Sequence, residues 1–169
     1  MNTNKPSLSD IEVFIFDFDG VLTNNLVHLN QDGKEWVSCS RADGLAFDLL
    51  RKLKKPVYIL STEKNPVVSA RAKKLKVEVI QSVDNKLDAI DIITKNGSRN
   101  LDRVLYIGND LNDFNIMKLC GYNACPSDSH ISIQNISQFV LNARGGDGVI
   151  RELVEDIFCL NMLEILYPN

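Results

Sequence analysis

A chain of 169 residues is long enough for one ordinary domain with a proper hydrophobic core. Its 44% hydrophobic and 24% charged residues are those of a globular protein, not of a disordered or fibrous one. A net charge of -3, no apolar run of membrane-spanning length and no signal-like N-terminal stretch lead to the expectation of a cytoplasmic protein with no nucleic-acid and no membrane partner.

After a polar lead-in over residues 1–10, Ile11–Phe16 is an apolar, β-branched and aromatic run that ends abruptly in Asp17, Asp19 and Gly20. That is the pattern of a buried parallel strand delivering polar groups to its carboxyl edge, where sites form in open α/β sheets. Two carboxylates two positions apart on an extended chain share a face and repel unless a cation lies between them. Magnesium suits such a place, since it is satisfied by one or two carboxylates plus phosphate oxygens.

Leu26–Asn30 and Lys34–Cys39 flank an Asp32-Gly33 turn and predict a β-hairpin beside that edge. Leu45, Ala46, Leu49, Leu50 and Leu53 recur at helical spacing and predict a helix over 43–53, stopped by Pro56. Val57–Leu60 reads as a second strand ending in Ser61, Pro66 as a first-turn residue of a helix through Leu75, and Val77–Ile80 as a third strand. Asp84-Asn85-Lys86 opens a helix to about Lys95 that Asn96-Gly97 closes as a left-handed cap. Arg103–Ile107 is a fourth strand, ending in Gly108-Asn109-Asp110-Leu111-Asn112-Asp113, and a helix from Asp113 to Cys120 follows. Tyr122–Cys125 reads as a strand, Ser129–Asn135 as a short helix and Phe139–Asn142 as a strand. Arg144-Gly145-Gly146 then precedes a last helix from Val149 to about Leu163. The alternation predicts an α/β fold with a parallel sheet and helices on both faces, as a single domain over 1–169 with a hairpin flap at about 26–39.

Cys39, Cys120, Cys125 and Cys159 are scattered without a C-x-x-C pair, as reduced thiols are. His28 and His130 lack ligand spacing, so neither a histidine metal site nor a Ser-His-Asp triad is expected. The basic clusters Arg51–Lys55 and Arg71–Lys76 carry apolar residues at helical spacing and read as solvated helix faces.

The strand ends carry Asp17 and Asp19, then Ser61, then Asp110 and Asp113, with Lys86 after the third strand. A carboxylate nucleophile, a neighbouring acid/base, a hydroxyl donor, a cation and a metal ligand are what phosphoryl transfer needs. Asp17-x-Asp19-Gly-Val, Ser61, Lys86 and Gly108-Asn-Asp110-x-x-Asp113 resemble, in order, the motifs of the haloacid dehalogenase superfamily of phosphatases, with its Rossmann-like fold. The resemblance implies that Asp17 attacks phosphorus and binds Mg2+, and that Asp19 is the acid/base, with its backbone carbonyl also on the metal. It implies that Ser61 and Lys86 hold phosphoryl oxygens, that Asp110 ligates Mg2+ and that Asp113 orients Lys86 or waters behind the metal. The plainer alternatives, less favoured, are that Ser61 and Asp113 merely cap helices and that Lys86 is a solvated helix residue.

Many members of that superfamily insert a cap domain, and here the roughly forty residues between Asp19 and Ser61 are used up by a hairpin and a helix. An open site needs a macromolecular substrate or a lid borrowed from another subunit, because otherwise it does not exclude water. Asp19-Gly-Val-Leu-Thr, the hairpin, Asp43-Gly44 and Arg144-Gly-Gly resemble the capless 3-deoxy-D-manno-octulosonate 8-phosphate phosphatases. That likeness implies a homotetramer with lids from neighbouring subunits, to which Arg144 contributes. Ser61-Thr62-Glu63-Lys64, with Arg71 and Lys74, is similar to the nonulosonate 9-phosphate phosphatases of sialic acid biosynthesis. On that likeness Glu63 meets sugar hydroxyls, and Arg71 and Lys74 meet a substrate carboxylate. The expectation is therefore an Mg2+-dependent phosphatase of a 2-keto-3-deoxy sugar acid phosphate, nine-carbon before eight-carbon. The alternatives are the octulosonate phosphatase itself, a non-catalytic tetramerisation module supporting a CMP-sialate synthetase, and a receiver-type signalling domain.

Overall fold

The computed structural model describes residues 5–95 and 100–168, so the Asn96-Gly97 cap lies outside the described residues. The strands are β1 (Val13–Phe16), β2 (His28–Leu29), β3 (Glu35–Trp36), β4 (Val57–Leu60), β5 (Glu78–Ile80), β6 (Val104–Ile107), β7 (Tyr122–Cys125) and β8 (Phe139–Val140). The helices are α1 (Arg41–Lys52), α2 (Val67–Leu75), α3 (Lys86–Lys95), α4 (Phe114–Leu119), α5 (Ile131–Ile136), α6 (Val149–Glu152) and α7 (Met162–Leu166). Six strands make one sheet in the order β5-β4-β1-β6-β7-β8, every pair parallel.

The strand order explains where a site can form. From β1 the chain builds outward through β4 and β5, then crosses back to lay β6, β7 and β8 on the other side. Loops leaving β1 and β6 diverge at that reversal and leave a crevice beyond their carboxyl ends.

Side-chain alternation along the strands sorts the core into two layers. Phe14 and Phe16 of β1, with Leu105 and Ile107 of β6, face a layer built from Phe47 and Leu50 of α1, Val68 and Ala72 of α2, and Val149 and Ile150 of α6. Val13 and Ile15, with Val104 and Tyr106, face the other layer, where Ile90 and Ile93 of α3, Ile116 and Met117 of α4 and Ile133 of α5 pack. Because β1 and β6 are buried on both faces, they read as unbroken apolar runs, and their polar residues are pushed to the strand ends.

Most predicted elements are present, with ends shifted by a residue or two. Helix α1 starts where the Ser40 side chain accepts the Ala42 N–H, and it ends with Arg51 and Lys52 at its negative pole. The hairpin is shorter than expected, since β2 and β3 pair only His28 with Trp36 and Leu29 with Glu35, and a bridge between Thr23 and Cys39 closes its base. The strand expected over 139–142 keeps only Phe139 and Val140.

The single last helix over 149–163 is a correction. Its apolar period is continuous, yet the chain runs through α6, a π-type turn over Leu153–Ile157, and a break before α7. Cys159 takes a left-handed φ of 52°, and the Leu160 N–H reaches back to the Val154 carbonyl at 3.0 Å. A left-handed non-glycine residue ends a helix whatever the periodicity around it.

Candidate active site

The ladder between β1 and β6 continues one residue past the strands, because the Asp17 N–H donates to the Ile107 carbonyl at 2.9 Å. Asp17 is thereby fixed at the mouth of the crevice, with its carboxyl group 6% exposed. Here a cavity of about 330 Å3 is lined by Asp17, Asp19, Asn25, Ser61, Thr62, Asn109, Asp110, Leu111 and Asn112.

Lys86, the first residue of α3, reaches under the cavity. Its Nζ stands 2.6 Å from Asp17 Oδ1 and 2.6 Å from Asp113 Oδ1. Asp113 is saturated: Oδ1 also accepts the Tyr106 hydroxyl at 2.7 Å, and Oδ2 accepts the backbone N–H groups of Asn109 at 2.9 Å and Asp110 at 3.4 Å. Such satisfaction is what makes a fully buried carboxylate tolerable. Burial alone would pull Lys86 down, but the Asp17 and Asp113 carboxylates more than reverse it and hold its ammonium above the ordinary lysine range. Burial, followed by the Asp113 charge, pushes Asp17 up to about 7 in spite of Lys86.

Asp19 is half-buried one turn further on. Burial, helped by the Glu63 charge, raises its carboxyl above the ordinary range. The Thr23 hydroxyl lies 3.4 Å from Asp19 Oδ1 and accepts the Gly20 N–H at 3.1 Å, so Thr23 ties the turn to itself. Gly20 has φ +83° and lies against the Asn109 amide, leaving no room for a Cβ. Ser61 is buried at the end of β4, and its Oγ accepts the Glu63 N–H at 3.0 Å. It does not cap α2, whose N-terminal residue Pro66 offers no side-chain bond.

The sequence-predicted residues therefore divide. Asp17, Asp19, Ser61, Lys86, Asp110 and Asp113 meet at one rim. Glu63 is turned back on its own loop, its Oε1 accepting the Lys64 and Asn65 N–H groups at 2.6 and 2.7 Å. Arg71 donates to the Ser40 carbonyl at 2.7 Å, and with Lys74 it lines a separate groove beside Arg41, Gly44, Asp48 and Leu75. Arg144 is exposed and pairs with Asp128 at 3.4 Å.

Sequence reasoning gave no role to Asn109 or Tyr106. Asn109 is 6% exposed, lines the cavity and has a buried Oδ1 with no hydrogen-bond donor. Its place between Gly108 and Asp110 was a signal of sorts. Tyr106 carried none, since an aromatic inside a strand reads as core.

The donor set fits a hard divalent cation. Four carboxylates, Asp17, Asp19, Asp110 and Asp113, gather here around the ammonium of Lys86, the single buried lysine among the described residues, and both burial and the neighbouring Asp113 charge hold Asp17 up. Among the described residues no three acidic, histidine or cysteine side chains already converge as a metal cage. Magnesium needs none, because it takes one or two carboxylates and completes its shell with carbonyls, waters and phosphate oxygens. No described helix is long and apolar enough to cross a membrane.

Comparison with known proteins agrees with this arrangement. A family model described as haloacid dehalogenase-like hydrolase matches residues 50–153. A curated relative, the 3-deoxy-D-manno-octulosonate 8-phosphate phosphatase of Haemophilus influenzae, is 28% identical over 152 residues, covering 89% of this chain and 84% of the relative. A solved HAD family hydrolase from Streptomyces avermitilis superposes with a TM-score of 0.87 at 39% identity, covering 90% of this chain and 87% of that one. The Moraxella catarrhalis 3-deoxy-D-manno-octulosonate 8-phosphate phosphatase, solved in complex with magnesium ion, phosphate ion and KDO, superposes with a TM-score of 0.83 at 27% identity, covering 92% and 87%. With a family model over more than half its length and the acidic rim that the fold builds, this chain belongs to the haloacid dehalogenase-like hydrolases.

Proposed function

We propose that the protein is an Mg2+-dependent phosphatase of 3-deoxy-D-manno-octulosonate 8-phosphate, working as one capless domain through an aspartyl-phosphate. The observation that carries this reading is Lys86 seated at 2.6 Å from both Asp17 and Asp113, beneath a cavity rimmed by Asp19, Ser61 and Asp110. A lysine there holds the nucleophile carboxylate in place and presents positive charge to the phosphoryl group, while Asp113 and Tyr106 hold the lysine.

In this reading Asp17 attacks phosphorus as the bond to the sugar oxygen breaks, and Asp19 gives that oxygen its proton. Asp19 then takes a proton from water as the water oxygen attacks phosphorus, freeing Asp17 and inorganic phosphate. Burial keeps Asp19 protonated to higher pH than an ordinary carboxyl, as a proton donor requires. Ser61 and Lys86 hold the non-reacting phosphoryl oxygens. Asp17, Asp110 and the Asp19 backbone carbonyl would hold Mg2+, which when bound neutralises charge on those oxygens.

The eight-carbon acid replaces the nine-carbon one as first choice because the curated relatives and the ligand-bound neighbour are octulosonate phosphatases. Glu63, Arg71 and Lys74, the residues behind the nine-carbon reading, bond to backbone or line another groove. A homotetramer is the assembly that would lid the open cavity, with Arg144 reaching a neighbour's site. The exposed Leu26, Leu29 and Trp36 of the hairpin favour it.

Phosphate release from eight- and nine-carbon sugar acid phosphates, with and without Mg2+, tests the reading. Fastest Mg2+-dependent release from the octulosonate ester is expected. Preference for a nine-carbon ester would restore the other substrate, and no release from any ester would leave a tetramerisation module.

A further inference from the structure

The loop that carries Asp19 is held from two sides, and only one of them belongs to the cavity. On the cavity side, the Asn109 amide lies against Gly20. On the other side lie Gly145 and Gly146, far along the chain and absent from the lining. A Cβ on Gly145 would overlap the Gly20 carbonyl oxygen and stand 2.9 Å from that of Thr23. Gly146 has φ +73°, donates its N–H to the Val21 carbonyl at 3.0 Å, and would bring a Cβ to 2.6 Å from the Asn24 nitrogen. The two glycines thus press backbone against backbone on Gly20–Asn24, the turn that follows Asp19.

The pressing segment is itself anchored at three points. The Gly145 N–H donates to Asp128 Oδ1 at 2.9 Å. Glu152 accepts the N–H groups of Asn142 and Ala143 at 2.7 and 2.6 Å. Asp43, buried on α1, accepts the Ile150 and Arg151 N–H groups at 2.9 and 3.1 Å and so fixes the start of α6 just beyond the glycines. Three carboxylates from separate parts of the chain thus anchor the segment from Asn142 to the start of α6, none of whose residues lines the cavity.

We propose that Gly145 is a positioning residue, with Gly146 and Asp128 as its support. It sets the reach of the Asp19 carboxyl toward the leaving-group oxygen by fixing the turn on which Asp19 sits. The inference rests on the phosphatase reading above. Displacing that turn by a few tenths of an ångström leaves Asp17, Lys86 and Asp113 in place, because those are held by β1, α3 and the β6 loop. The expected lesion is therefore selective: proton delivery to the ester oxygen suffers, while attack on phosphorus does not.

The test compares leaving groups in Gly145→Ala and, as the gentler lesion, Asp128→Asn. An alkyl phosphate such as a sugar ester needs the proton, whereas p-nitrophenyl phosphate expels a stable anion without it. Single-turnover rates separate formation of the phosphoenzyme from its hydrolysis. For Gly145→Ala the alkyl ester is expected to lose roughly 100-fold, the low end of general acid contributions, while the first-turnover burst of nitrophenolate falls less than about 5-fold. Asp128→Asn shows the same pattern at smaller size, with an unchanged melting temperature, and keeps the test open if Gly145→Ala fails to fold. Equal losses on both esters, or no loss on either in both variants, would overturn the proposal. A wild-type protein inert towards both esters would instead remove the phosphatase reading.

Discussion

The rim and the hairpin lie side by side in the sequence and are built on opposite principles. At the rim, charges are buried and each is tied to several others: Lys86, Asp17, Asp113 and Tyr106 form one network in which every removal strands a neighbour. In the hairpin, apolar groups are exposed and tied to little, with Leu26 63%, Leu29 65% and Trp36 50% exposed and only two paired residues in each strand. A two-stranded ribbon of that kind has little stability of its own. The rim is over-determined by the fold around it, and the hairpin is under-determined by it. A site for chemistry needs the first condition, and a surface waiting for another subunit fits the second.

Breaking the rim should have the largest effect. Lys86→Met leaves two carboxylates buried without their cation and is expected to cost about 3–5 kcal/mol in denaturant unfolding, besides removing activity. A loss below about 1 kcal/mol would show that the network holds nothing together.

Asp43 sharpens the contrast from between the two regions, being a buried carboxylate only half-satisfied. Its Oδ1 caps α6, its Oδ2 has no hydrogen-bond donor, and burial pushes it up to about 6 in spite of the two backbone N–H groups. A folded value above the ordinary 3.8 means the folded state prefers the protonated form. The stability that this gives is complete below about pH 4 and is lost as pH rises through 6. Roughly 3 kcal/mol is at stake across that window, taking 1.36 kcal/mol per pH unit. Asp43→Asn should flatten the fall between pH 4 and 6 in pH-dependent unfolding, and an unchanged slope would count against it.

The smallest effect on stability is expected in the hairpin. Trp36→Ser should leave the unfolding free energy within about 0.5 kcal/mol, as an exposed substitution does. Its effect should fall on the proposed tetramer: where native mass spectrometry finds four subunits in the unaltered protein, the variant is expected to show fewer. A variant that stays tetrameric would move the subunit contact elsewhere.

What was legible in the sequence follows the same division. The rim could be read because a doubly buried strand has nowhere to put Asp17 and Asp19 except its end, while Ser61 follows the buried end of β4, Ile59 and Leu60. Tyr106 could not, because its hydroxyl finds Asp113 only through the turn between β6 and α4, a relation that periodicity does not carry. Gly145 was visible only as part of the glycine run before the last helix, since its close approach to Gly20 is a contact across the fold that the sequence does not carry. The break at Cys159 was hidden by an apolar period that runs unbroken across it. Glu63 folds back on its own loop while Arg71 and Lys74, on α2, line a groove apart from the cavity, a separation that the sequence does not carry.

Asp17, braced by Lys86, is the proposed acceptor of the phosphoryl group. Rapid acid quench during turnover of an octulosonate 8-phosphate, followed by peptide mass spectrometry, tests it most directly. A phosphate adduct on the peptide carrying Asp17, absent in Asp17→Asn, is the predicted result. Steady turnover with no adduct on that peptide, or with activity retained in Asp17→Asn, would contradict it.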